Sequence, residues 1–327
     1  MNQAQANLLL EKLRGGDVRA LAKLLSWVET LTPERVRFLA QLHGSTGHAA
    51  TVGFTGPPGA GKSTLVDRFT SVLRQRDQTV GILAVDPSSP FTEGAILADR
   101  IRMQRHSEDR GVFIRSVGTR GSRGGLMRSA RALVEVLDAF GKDWVLIETV
   151  GVGQTELDVV RIAHTTVVVL VPEAGDIIQA MKAGLMEVAD VFVVNKGDRP
   201  GAAQRAAELS AAVALNQRAD GWQVPVLVTR AQENAGITDL ERAIDAHRAW
   251  RASHGSPHAA LHRRGEILDL IADQVRQRAE AALASPAFHA LAARVERGDE
   301  SPYALVLEAL ASGLVADPPQ PKPTTAS

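Results

Sequence analysis

The chain has no cysteine among its 327 residues. That absence excludes disulfides and thiolate metal sites, and it removes the main ligand of structural zinc. Excess charge of either sign is also missing: Lys plus Arg and Asp plus Glu number 37 each. No global field therefore draws the protein to nucleic acid or to an anionic membrane. No segment approaches the ~18 continuous apolar residues that a membrane span needs. Residues 1–19 mix Leu8, Leu9 and Leu10 with Glu11, Lys12 and Asp17. They lack the basic start and apolar stretch of a signal peptide, and the Arg-rich, acid-poor pattern of a mitochondrial presequence. The nine histidines form no metal-ligand cluster in the sequence, and His43, His48 and His164 read as structural or exposed. The expectation is a soluble cytoplasmic protein with neither a nucleic-acid nor a membrane partner.

What is present suits a sizeable buried core, with 45% apolar and 23% charged residues. Residues 1–47 read as a helical extension. Leu9, Leu10 and Leu13 repeat at helical spacing, and Leu21, Leu24, Leu25 and Val28 do so again after Gly15-Gly16. Thr32-Pro33 predicts a fresh helix with Thr32 as N-cap, and residues 44–47 read as a linker. From Thr51 the pattern changes to short apolar runs at 52–55, 80–85, 112–115, 145–147, 167–171, 191–194 and 226–228. The runs are continuous rather than alternating, as in strands buried on both faces of a parallel sheet. Helical patterns such as Leu126, Ala130, Leu133, Val134 and Leu137 lie between them. Residues 48–252 are thus expected to be a doubly wound α/β domain with a mostly parallel sheet. Residues 253–315 read as a carboxy-terminal helical arm, with one long helix at 260–285 and a last one at 302–314. Residues 316–327 are proline-rich and are expected to be disordered.

Three motifs carry chemistry. Gly56-Pro57-Pro58-Gly59-Ala60-Gly61-Lys62-Ser63 follows a predicted strand and opens a predicted helix, the context a P-loop requires. Glycines let main-chain N–H groups wrap an anion, and the helix adds its positive end. Lys62 would reach the β- and γ-phosphates, Ser63 would ligate magnesium and Thr64 would contact the α-phosphate. Far downstream, Asn195-Lys196-Gly197-Asp198 closes another apolar run. A carboxylate at Asp198 can accept both the N1–H and the 2-amino group of guanine, a pair adenine lacks. Sites built on such bonds discriminate by ~10⁴-fold, so the nucleotide is expected to be GTP or GDP. Between these motifs, residues 143–154 deliver Glu148 to a strand end, where most GTPases carry Asp. Gly151-Val152-Gly153-Gln154 follows, and the Gly151 N–H would bind a γ-phosphate. Asp86 closes the run at 80–85 and can hold magnesium directly or through water, with Asp99 as a second candidate.

Together GPPGAGKST, AVDPSSPFTEGAILADRIRM, ETVGVGQTE and NKGD resemble the MeaB/MMAA, or ArgK-type, family of P-loop GTPases. The resemblance runs from about Leu9 to Leu314. These are proteins of the signal-recognition and MinD-like class that act as chaperones of adenosylcobalamin-dependent acyl-CoA mutases. The resemblance implies a homodimer joined through the carboxy-terminal arm, slow magnesium-dependent hydrolysis, and adenosylcobalamin reached only through the mutase partner. Lys62 and Ser63 would be P-loop ligands, while Asp86, Asp99 and Glu148 would organise magnesium and the attacking water. Glu148 and Gln154 both stand as candidates to orient that water. Residues 151–158, with Gly153, resemble switch II. A further mobile segment matches 174–187, placing Asp176, Gln179 and Lys182 where the family couples to its partner.

The chain departs from the family in three places. Where GDELQGIK is usual it has Gly175-Asp176-Ile177-Ile178-Gln179-Ala180-Met181-Lys182, so an acidic contact becomes apolar. The TRGTLGG-like loop carries Arg123 in place of Leu, and the Trp-rich start of the arm is replaced by His262-Arg263-Arg264-Gly265-Glu266. The partner could accordingly be methylmalonyl-CoA mutase or a relative such as 2-hydroxyisobutyryl-CoA or isobutyryl-CoA mutase. Nine arginines between Arg100 and Arg131 read equally as a docking surface and as a solvated face. Two rivals share the fold: a metal-delivery GTPase, which the missing cysteines disfavour, and a P-loop kinase, which would have no use for NKGD.

Overall fold

Seven apolar runs become seven strands. In a computed structural model they are β1 (Ala50–Thr55), β2 (Val80–Asp86), β3 (Val112–Gly118), β4 (Trp144–Thr149), β5 (Thr165–Leu170), β6 (Val191–Val194) and β7 (Val226–Val228). The structure describes residues 3–29, 32–86, 104–106, 108–118, 125–149, 162–173, 184–215, 218, 220–255, 257–283 and 286–311. All seven strands pair in parallel in one sheet of order β3-β2-β4-β1-β5-β6-β7. The chain leaves β1, skips one position to β2, runs outward to β3 and returns to β4 beside β1 before building the other half. That reversal opens a crevice at the carboxyl ends of the central strands, where ligands of such sheets bind.

Continuous hydrophobicity in the strands reflects helices on both faces. Every residue of β1, β4, β5 and β6 is buried. Helix α4 (Lys62–Arg74) and the helix Ile237–His254 cover one face, packing Leu65, Phe69, Leu73, Leu240 and Ile244 against Val52, Phe54, Trp144 and Val167. Phe69 lies edge-on to Trp144 with ring centroids 5.7 Å apart. The ring is fully buried, and its truncation to alanine would cost about 3–5 kcal/mol. On the other face the helix Ala202–Leu215 contributes Ala206 and Leu209 to a cluster with Val168, Leu170, Phe192 and Val194.

Helices α1 (Gln3–Arg14), α2 (Val18–Val28) and α3 (Pro33–Ala40) precede the sheet. Gly16 takes the left-handed turn between the first two, at φ 79°. Asp17 then caps α2, its Oδ1 accepting the N–H groups of Arg19 at 2.8 Å and Ala20 at 3.2 Å. Those two donors hold its carboxyl below the usual carboxylate range. The periodic residues Leu21, Leu24, Leu25 and Val28 are buried, and α2 packs against α5 (Gly125–Ala139). Thr32 occupies the N-cap position of α3 with Pro33 behind it, but it makes no side-chain cap. Its hydroxyl donates instead to Glu34 Oε2 at 2.8 Å, a bond strengthened by the carboxylate's charge. The linker into β1 is fastened at its end by Asp138 of α5. That carboxylate accepts N–H bonds from Gly47 at 2.6 Å, His48 at 3.2 Å and Ala49 at 2.9 Å.

Residues 1–257 cluster as one unit and residues 258–327 as a second. The helix Pro257–Leu283 runs into the second unit, which also holds helices Pro286–Glu296 and Pro302–Ala311. The latter two pack on each other, with Arg294 bonded to Glu308 at 2.9 Å and to Glu300 at 2.5 Å. The helix Pro286–Glu296 falls between the two helices that the sequence pattern predicts for this region. No helix among the described residues is long and apolar enough to cross a membrane.

Candidate functional site

Five strand ends meet the crevice. β1 delivers the loop that precedes α4, β2 ends at Asp86, β4 carries Glu148 at its last-but-one position, and Asn195 and Thr229 follow β6 and β7. In the loop, Gly56, Gly59 and Gly61 have φ of 134°, 76° and 87°, values at which glycine alone is unstrained. Gly56 is constrained by space as well, since a Cβ there would lie 2.0 Å from the Val169 carbonyl oxygen. Gly56→Ala is expected to lose about 3 kcal/mol or more, readable as a drop in urea midpoint. A variant as stable as the parent would contradict this close approach.

Lys62 opens α4 and is 5% exposed. Its Nζ donates to the carbonyl oxygens of Gly56 at 2.7 Å and Pro57 at 3.0 Å, so the ammonium lies within the loop. Pro58 and Gly59 are exposed at the loop crest, while Ala60 is buried. Ser63 comes next, and its Oγ donates to Glu148 Oε1 at 2.5 Å. Glu148 is buried between β1 and β2, in register with Phe54 on one side and Ala84 on the other. By spending its proton on Glu148, the Ser63 hydroxyl keeps its lone pairs for an external cation or donor. Thr64, half-buried, completes the first residues of α4.

The second loop is fastened to the first through Asn195. Its Nδ2 donates to the Ala60 carbonyl at 2.9 Å, and its Oδ1 accepts from Thr229 Oγ1 at 3.0 Å and the Ala231 N–H at 3.2 Å. Asn195 is 2% exposed. The sequence reading placed Asn195 among nucleotide contacts; its side chain is a three-way tie between the P-loop, the β6 loop and the β7 loop. Gly61 permits this approach, because a Cβ at that position would stand 2.4 Å from Asn195 Nδ2. Beyond Asn195, Lys196 adopts φ 57°, and the Gly197 N–H donates to the Thr229 carbonyl at 2.9 Å. This turn leaves Asp198 exposed beside the crevice. Thr229 and Ala231 were missed from sequence. Their signal is positional only: they follow a strand end, like the motifs that were noticed.

Asp86 is described through its backbone, as the last residue of β2 opposite Gly118. The other expected site residues, Asp99, Gly151, Gly153, Gln154, Asp176, Gln179 and Lys182, lie outside the described residues.

Comparison with known proteins agrees with this geometry. The family described as methylmalonyl-CoA mutase-associated GTPase MeaB matches residues 21–284. A chain of Pyrococcus abyssi described as a GTPase is 44% identical over 300 residues, covering 90% of this chain and 93% of that one. The GTPase ArgK of Escherichia coli strain K12 is 38% identical over 252 residues, covering 75% of this chain and 76% of its own length. The mouse methylmalonic aciduria type A homolog, mitochondrial, is 38% identical over 193 residues, 58% of this chain and 46% of that protein. Among solved structures, a LAO/AO transport system kinase superimposes with a TM-score of 0.68 at 27% identity, covering 95% of this chain and 98% of that one. The parallel sheet, the glycine-built loop before α4 and the matched span lead to one assignment: the chain is a P-loop GTPase and belongs to the methylmalonyl-CoA mutase-associated GTPase family, MeaB.

Proposed function

We propose that GTP binding and hydrolysis at this P-loop gate the loading or protection of adenosylcobalamin in a B12-dependent acyl-CoA mutase. The observation that carries the nucleotide half is the contact between Ser63 and Glu148, which brings the P-loop helix onto a carboxylate near the carboxyl end of a central strand. The partner half rests on the family's description as mutase-associated. The mutase is methylmalonyl-CoA mutase or a relative acting on 2-hydroxyisobutyryl-CoA or isobutyryl-CoA. The setting is the cytoplasm.

Magnesium prefers hard oxygen donors. The Ser63 hydroxyl, with Glu148 behind it and Asp86 at the neighbouring strand end, offers that chemistry. Asp99 would complete the set. Bound there, magnesium would neutralise charge on the β- and γ-phosphate oxygens. The chain's own part is positioning. Lys62 would exchange its loop carbonyls for phosphate oxygens, which develop charge during transfer. Backbone N–H groups of residues 56–63 would cradle the phosphates, with Thr64 on the α-phosphate. Glu148 or Gln154 would hold the attacking water in line. Contact of Gly151 with the γ-phosphate would set residues 151–154, and Asp176, Gln179 and Lys182 would pass that state to the mutase.

Asp198 would read the base. Its exposure beside the crevice suits a carboxylate that accepts two guanine N–H groups. Asp198→Asn replaces one acceptor with a donor. GTP affinity is expected to fall roughly 10²–10⁴-fold, while xanthosine triphosphate, with a carbonyl where guanine has its amino group, gains affinity. Fluorescence titration with both nucleotides checks this, and unchanged GTP binding would remove Asp198 from the site.

Two chains would pair through the carboxy-terminal unit. Ile267, Leu268, Ile271 and Val275 of the helix Pro257–Leu283 are 44–61% exposed, and a stripe of that kind asks for a partner surface. The layout would then be an amino-terminal helical extension to residue 47, a GTPase domain to 252, a dimerising arm to 315 and a short tail. The reading is tested by affinity capture from the native host on the protein loaded with a non-hydrolysable GTP analogue. Recovery of a B12-dependent acyl-CoA mutase is the expected result; its absence, with the mutase present in the extract, would refute the partner assignment.

A further inference from the structure

The back of α4 carries a polar seam that the nucleotide chemistry does not use. Ser63, Asp67, Ser71 and Arg74 recur at helical spacing of four, four and three, so they share one side of the helix. Ser63 faces Glu148, whereas the other three meet the chain that enters β3. Arg74 pairs with Asp109 at 2.8 Å. His106, in the single turn Gln104–His106, sits over Asp67 and Ser71. Its Nε2 lies 3.4 Å from Asp67 Oδ1, 3.2 Å from the Asp67 carbonyl oxygen and 3.5 Å from Ser71 Oγ.

Both partners are buried, Asp67 at 6% and His106 at 7% exposure. Among the described residues, Asp67 Oδ1 has no hydrogen-bond partner apart from this ion pair. A buried carboxylate in that condition depends on its countercharge. Asp109, the other acid that acts on His106, is itself engaged by Arg74. With imidazolium opposite, the seam is neutral and tied. With neutral imidazole opposite, Asp67 keeps a buried charge with a weaker partner.

We propose that Asp67 and His106 form a proton-operated clasp that holds the turn before β3 against the P-loop helix, and that GTP and GDP bind more tightly when the clasp is closed. The clasp is four residues, little more than one helical turn, from the hydroxyl of Ser63. An unfastened turn must be re-ordered against α4 when nucleotide fixes the front of that helix, and the cost of ordering is taken from binding. The Asp67 carboxylate and main-chain carbonyl hold the His106 imidazole above its ordinary value of 6.5, with Asp109 adding to the effect and burial opposing it. A raised folded-state value gives a definite sign. The stabilisation is complete below 6.5 and is lost as pH rises through the folded value, so the clasp opens on the alkaline side of 6.5.

The coupling to nucleotide rests on the P-loop reading, whereas the clasp itself does not; two measurements separate them. Melting temperature is followed from pH 6 to 9 for the parent, His106→Gln and Asp67→Asn, with the His106 Cε1–H titrated by NMR in the parent. The parent should lose stability above 6.5 by a component absent from His106→Gln, and its imidazole should titrate above 6.5. Identical pH profiles in parent and variant, or titration at or below 6.5, would overturn the clasp. GDP affinity in magnesium is then measured by calorimetry over the same range. The parent should weaken relative to His106→Gln, by at most about tenfold per pH unit, the limit for one linked proton. Equal slopes would overturn the coupling and leave the P-loop assignment standing. Should His106→Gln fail to fold, the NMR titration with and without GDP decides: nucleotide must raise the His106 value, and no shift refutes the link.

Discussion

Lys62→Ala should lower the rate of GTP hydrolysis by about 10²–10³-fold, the usual cost of removing one pre-positioned charge from a transition state. The argument starts from where the ammonium lies. Buried within the loop and bonded to the carbonyls of Gly56 and Pro57, Lys62 is already inside the cradle that phosphates would enter. Its charge need travel only a short distance to reach oxygens that become more negative as the γ-phosphoryl leaves. Lys62→Arg should not restore the rate, because a planar guanidinium is bulkier and cannot act as a compact point charge there. Turnover is read by phosphate release, alongside a melting curve. A folded Lys62→Ala protein retaining more than about a tenth of parental turnover would contradict the role given to this residue.

Asn195→Ala is the second large effect, and it is expected to strike stability and nucleotide affinity together. One amide satisfies three groups: the Ala60 carbonyl, the Thr229 hydroxyl and the Ala231 N–H. Truncation orphans all three in a buried setting. At about 1–3 kcal/mol for each unsatisfied buried group, and allowing for rescue of one by water, the loss is about 2–6 kcal/mol. The P-loop would also be released from the loop carrying Asp198, so phosphate and base subsites would no longer be held in register. GDP affinity should fall by at least about tenfold even where the variant is folded. Urea unfolding and calorimetry measure the two effects. A variant with normal stability and weakened binding would mean that Asn195 touches nucleotide rather than tying loops.

Much of this was legible in the chain. Strands β1, β4, β5 and β6 are buried on both faces, and that condition writes itself into sequence as uninterrupted apolar runs. The P-loop was legible because its glycines answer to backbone conformation, as the φ values of Gly56, Gly59 and Gly61 attest. What was not legible depends on contacts across long separations. NKGD marks Asn195 as a contiguous string, but its ties to Ala60 and Thr229 join residues distant in sequence. The bond between Ser63 and Glu148 has the same character, joining α4 to β4. Thr32 stands at the N-cap position as its place before Pro33 implies, but that its hydroxyl goes to Glu34 is a local choice that residue type does not reveal. The helix Pro286–Glu296 escaped because an alanine-rich stretch shows little periodicity, and its packing against the helix Pro302–Ala311 was not visible in either segment alone. His106 was set aside with the other histidines, since nothing in its neighbourhood points to Asp67.

The proposed function depends on a guanine nucleotide seated between the P-loop and the Asn195–Asp198 turn. Isothermal calorimetry of the purified protein against GDP, GTP and ATP in magnesium tests that directly. Binding of both guanine nucleotides, with ATP weaker by orders of magnitude, is the predicted result. Equal or tighter binding of ATP, or no heat with GDP and GTP, would contradict it.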